Sequence, residues 1–138
     1  MRHPWTRLSA WIPWEERDIL AGAELPGVYL LAHFAGTPRG QADPLAKAII
    51  YIGETCDNSL KGRWYQFNRS AFHGKPGHSG GSTYREQHLR FRRQLHVAAI
   101  PIEGLGEAVQ PYFIRHLERK LLWQYILKWG RPPACNRK

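Results

Sequence analysis

Two apolar, β-prone runs near the start of the chain leave it little freedom in how it can fold. Residues 27–34 (GVYLLAHF) and 48–53 (AIIYIG) are rich in branched and aromatic side chains that suit a pleated, half-buried surface. Between them, Gly36, Pro38, Gly40, Asp43 and Pro44 break any regular element, so residues 35–46 read as a loop. Strands this close together pair antiparallel. Ser59 then stands at the cap of a helix reaching to about Phe72, with Leu60, Trp64, Phe67 and Ala71 on one face. Residues 96–102 read as a third strand, and 109–129 as the longest helix, stopped by Gly130 and Pro132–Pro133. The fold class is α+β, a small antiparallel three-stranded sheet flanked by helices.

Residues 1–24 carry Trp5, Trp11 and Trp14, with Pro13 suited to the first turn of a short helix over 15–20. Exposed tryptophans in that number would be a large apolar liability, so this arm is expected to pack on the main body, residues 25–138. Residues 73–81 (HGKPGHSGG) hold four glycines and a proline, which argues against regular structure there. Ser82 is the expected cap of a short basic helix over 83–93.

Charge narrows the partners. Among 138 residues, 20 Lys and Arg face 11 Asp and Glu, a formal charge of +9. A small domain that basic usually meets a polyanion, most often nucleic acid. Lys75, Arg85, Arg90, Arg92 and Arg93 cluster in one stretch with His78, Tyr84 and His88, and the glycines of 77–81 leave backbone N–H groups free to approach phosphate. The plainer reading of that stretch is a flexible insert solvated by its own charges. Cys56 and Cys135 have neither disulfide-framework nor zinc-ligand spacing, which fits a reducing compartment. No apolar run approaches the ~18–20 residues that span a bilayer, and no secretory segment is recognisable, so a cytoplasmic protein without membrane contact is expected.

Two charged residues stand out against apolar neighbours. On the last helix Ile114, Leu117, Leu121, Leu122, Tyr125, Ile126 and Trp129 fill one arc, and Glu118 falls near its middle. A carboxylate there needs a partner, either a neighbouring arginine or a metal, unless it is catalytic. Arg63 flanks the stripe of Leu60, Trp64 and Phe67. Its guanidinium is shaped for two-point contact with phosphate, though such a residue is more commonly a plain surface charge.

Gly27-Val28-Tyr29 on one strand and Tyr51-Ile52-Gly53 on the next resemble the paired signature of the GIY-YIG nucleases. Arg63 on the following helix, Glu118 on a later one and Asn136 in the tail (Pro133-Ala134-Cys135-Asn136) match the family's further elements in order, over residues 26–138. The resemblance implies metal-dependent endonuclease activity on duplex, branched or damaged DNA. Tyr29 and Tyr51 are then the signature tyrosines, Arg63 the phosphate contact, Glu118 the sole protein ligand of one Mg²⁺ or Mn²⁺, and Asn136 a residue that steadies the site. The sequence departs from the family pattern at three places: a longer loop over 54–58, Glu54 where some members have Lys, and Phe67 where many have His or Tyr. Since Phe67 cannot titrate, the general base is one of Tyr51, Tyr29, His73 and His78. No small-molecule cofactor is expected, and a homodimer stays open. The competing readings are a catalytically silent module on the same scaffold and a small basic RNA-binding protein.

Overall fold

Alternation along one strand sorts the core into two halves. The computed structural model describes residues 7–136, and Trp5 lies outside them. Strand β2 (Gly27–His33) directs Val28, Leu30 and Ala32 to one side of the sheet, and Tyr29 and Leu31 to the other. It pairs antiparallel with β3 (Ile49–Thr55) and β4 (Leu95–Pro101), and β4 pairs with the short β1 (Ile12–Pro13). The strand order is β1-β4-β2-β3. Helix α3 (Gln110–Trp129) covers the first side with Ile114, Leu117, Leu121 and Tyr125. Helices α1 (Leu60–His73) and α2 (Ser79–Gln87) cover the second with Leu60, Trp64, Phe67 and Tyr84.

The α+β architecture stands, but the sheet has four strands rather than three. The added strand comes from the N-terminal arm, which enters both halves of the core: Trp11 on the α3 side, Trp14 on the α1 side. After β1 the arm winds into a 3₁₀ segment, Trp14–Ile19, preceded by Pro13. Among the described residues no helix is long and apolar enough to cross a membrane.

Helix α1 begins at Ser59, whose Oγ accepts from the Gly62 N–H at 2.9 Å. Its successor corrects the expectation of an irregular 73–81. Helix α2 starts at Ser79, capped by His78 rather than Ser82, and takes in Gly80 and Gly81. Those glycines serve close packing: a Cβ on Gly81 would stand 2.8 Å from Ser70 Cβ and 2.9 Å from the Phe67 carbonyl. The basic stretch is also not one helix over 83–93. It breaks at His88 and continues as a second 3₁₀ segment, Leu89–Gln94. On α3 the buried stripe is narrower than expected, since Ile126 is exposed and Glu118 only half-buried.

Candidate active site

Tyr29 and Tyr51 meet on the α1 side of the sheet because the unbroken register from Gly27 to Leu31 sets a glycine opposite Tyr29. The register of β2 on β3 shifts only after that stretch, between Leu31 and Ala32; within it Leu31 opposes Tyr51 and Tyr29 opposes Gly53. With Gly53 opposite, the Tyr29 ring lies 5.9 Å from that of Tyr51. A Cβ on Gly53 would fall 2.5 Å from the Tyr51 ring and 2.9 Å from the Tyr29 hydroxyl. Gly80 of α2 closes the other side of Tyr51, where a Cβ would stand 2.6 Å from the ring. Tyr29 is fully buried, Tyr51 half-buried.

His78 fixes the Tyr29 hydroxyl. Its Nε2 lies 2.8 Å from Tyr29 Oη, and its Nδ1 accepts from the Gly81 N–H at 3.1 Å. An Nδ1 that accepts carries a lone pair, so the hydrogen of the neutral ring sits on Nε2 and is donated to Tyr29. Burial, and then the Arg63 charge, push His78 down to about 3, which keeps the ring neutral. Both nitrogens are thus committed. His78 also stands edge-on to Phe67 at 5.2 Å, supplying the polar group that Phe67 cannot.

Arg63 is half-buried, and its Nη1 donates to Gln66 Oε1 at 2.6 Å and to the Gly77 carbonyl at 3.3 Å. Its charge acts on Tyr29, Tyr51 and His78 together. Burial nonetheless dominates at both tyrosines. It raises Tyr29 well above the usual tyrosine value and pushes Tyr51 up to about 12, with Arg63 pulling each down and Glu118 pushing Tyr51 up. The cationic surroundings therefore do not by themselves favour phenolate, because desolvation outweighs them. Glu118, half-buried on α3, adds a smaller upward push on Tyr51. Among the described residues no three His, Cys, Asp or Glu side chains cluster as a metal cage. A single carboxylate fits a hard ion such as Mg²⁺ or Mn²⁺, which keeps most of its shell as water and substrate oxygens.

Asn136 contacts backbone. Its Oδ1 accepts from the Ile52 N–H, its Nδ2 donates to the Ile52 carbonyl, both at 2.9 Å, and the Cys135 N–H donates to the Ile50 carbonyl at 2.7 Å. The tail is thereby laid along the outer edge of β3, on either side of Tyr51.

The other expected site residues lie elsewhere. His73 is exposed on the last turn of α1 and takes no part in the hydrogen-bonded cluster, and Lys75 is exposed in the turn that follows. Arg85 donates to the Ala71 carbonyl at 3.2 Å, tying α2 to the end of α1. Arg90 lies over Phe91 at 4.9 Å, and Arg92 and Arg93 are exposed on the second 3₁₀ segment. Gly80, expected only as one of the glycines of 77–81 that could approach phosphate, instead makes room for Tyr51. No protein-family model matches the chain, and no curated protein or solved structure shows significant similarity to it.

Proposed function

We propose that the chain is a metal-dependent DNA endonuclease of GIY-YIG type, hydrolysing phosphodiester bonds. One observation supports this reading: Tyr29 and Tyr51 pack ring to ring at 5.9 Å beside His78, with Arg63 tied to the turn that carries His78 and its charge acting on both tyrosines. Hydrolysis of a phosphodiester needs a proton removed from water and negative charge held on the phosphate. Arg63 supplies the second, as a preorganised guanidinium already anchored by Gln66 and Gly77. Tyr51, less buried than Tyr29 and lacking its bond to His78, is the better placed tyrosine to take that proton, which it can do only as the phenolate, a form that burial works against. Tyr29 is held by His78 and serves to orient, while Asn136 fixes the strand that carries Tyr51. Glu118 would be the residue to hold a divalent ion, which would supply further positive charge for the transition state.

A second reading, a silent module that holds DNA without cutting it, is favoured by the upward push on Tyr51. Supercoiled plasmid incubated with Mg²⁺, Mn²⁺ or EDTA separates the two. A single site is expected to give nicked circles before linear product, with none in EDTA. Glu118→Gln should lower the nicking rate by about 10²-fold or more, as for removal of a principal electrostatic stabiliser. Binding in EDTA should persist. Binding without nicking in either metal would establish the silent module instead.

A further inference from the structure

Outside the tyrosine cluster, a concavity ringed by positive charge and by hydrogen-bond donors lies on the flank of α1 away from Arg63. A cleft there is lined by Trp14, Glu15, Arg17, Asn68, Arg92 and Arg93, from the first 3₁₀ segment, α1 and the second 3₁₀ segment. Arg17 is half-buried, with its guanidinium 4.5 Å above the Trp14 ring and Nη1 donating to the Trp14 carbonyl at 2.9 Å. The Trp14 indole N–H donates to Asn68 Oδ1 at 2.9 Å, which leaves the NH₂ end of that amide for a ligand. Asp18, next in sequence, acts on the Arg17 charge, while Arg92 and Arg93 are exposed on their 3₁₀ segment. Three guanidiniums and an amide donor against the single carboxylate of Glu15 form a site for an anion with several acceptor oxygens.

Its position relative to Arg63 defines the anion further. Arg63 and Asn68 are five residues apart on α1, which at ~100° per residue puts about 140° between them through the buried face and about 220° around the outer face. Their contacts confirm the separation, Arg63 reaching Gly77 and Asn68 reaching Trp14. Between them the outer face of α1 carries Lys61, Tyr65 and Arg69, all exposed, with Arg69 over the Tyr65 ring at 5.8 Å. A helix about 10–12 Å across fills a B-form major groove about 12 Å wide, with a backbone on each side.

We propose that the cleft of Arg17, Arg92 and Arg93 holds backbone phosphates of the strand complementary to the one at Arg63, with α1 lodged in the major groove between them. The proposal rests on the reading of DNA as substrate. Phosphate contacts of this kind set register and orientation and read no sequence. Duplex RNA is excluded as an equal ligand, because its major groove is too narrow for a helix.

The test is binding by the full chain in EDTA, where nothing is cut, to a short DNA duplex and to a single strand of the same length. Arg92→Ala with Arg93→Ala removes two exposed side chains and should leave the melting temperature unchanged. It should weaken duplex binding by about tenfold or more, as expected for lost charge-assisted contacts. Single-strand affinity should change by less than about twofold, since that strand sits at Arg63. Arg17→Ala should act in the same direction, and Arg17→Lys should restore part of the loss. Equal weakening for duplex and single strand would put the cleft on the path of the cut strand and overturn the assignment. So would unchanged duplex binding. Inorganic phosphate that raises the melting temperature of the wild type but not of the double variant, with duplex affinity equal in both, would make the cleft a free-anion site. A wild-type chain that binds no DNA overturns the nuclease reading itself, a result distinct from any of these.

Discussion

At the scale of single residues, glycine has the most consequence in this site. Gly53 is legible in the sequence as the end of Tyr-Ile-Gly, but the reason for it becomes visible only in the register, where it opposes Tyr29 and makes room for Tyr51. Gly53→Ala would drive a methyl group into two packed rings. The expected cost is about 1–3 kcal/mol of stability, the usual range for overpacking, together with loss of nicking because the hydroxyls part. Denaturant melts and the plasmid assay measure both, and wild-type values in each would show that the rings yield freely. His78 shows the opposite side of legibility. As a residue in a glycine-rich turn it looked like a base or a loop residue, because nothing local reveals that its two nitrogens are taken by Gly81 and Tyr29. That information lies 49 residues away.

At the scale of elements, strands and long helices were readable from local pattern, whereas α2 was not. Its first turn is glycine, which propensity assigns to a loop, and it is held in place by tertiary contacts: Gly81 on α1, Gly80 on Tyr51, and the bond of Tyr84 to His33 at 2.9 Å. Histidines hold it at both ends, which makes its docking sensitive to acid. Burial, with His88 and His96 adding to it, lowers His33 to about 4, and burial with Arg63 lowers His78 to about 3. In the unfolded chain both return to about 6.5. Between those values the unfolded state binds more protons, so the stability from these neutral rings is complete above about pH 6.5 and is lost as pH falls toward the folded values. The melting temperature should therefore drop between about pH 7 and 4.5, and His33→Gln should flatten that slope. A melting temperature that stays level across this range would show that neither ring is kept neutral by the fold. The short β1 was missed for a related reason: two residues, one of them proline, carry no strand pattern of their own and are recruited by β4.

At the scale of the whole molecule, the +9 charge and the proposed DNA substrate together predict a response of binding to salt. Each phosphate neutralised releases counterions, so log affinity should fall linearly with log salt, and Arg90→Ala with Arg92→Ala and Arg93→Ala should weaken all sequences alike and reduce the slope. Affinity that is flat in salt would rule out a phosphate-based interface. The sheet, meanwhile, limits how copies of this chain can associate. One of its borders is β1, too short to template anything and containing Pro13, which has no N–H to offer. The other is β3, already occupied by Cys135 and Asn136. Both borders therefore disfavour strand addition from a second molecule over the stretches these features cover. Cutting the chain after Ala134 would reopen the β3 border, and the freed Ile50 carbonyl and Ile52 N–H and carbonyl would turn a discrete domain into one prone to strand-by-strand aggregation.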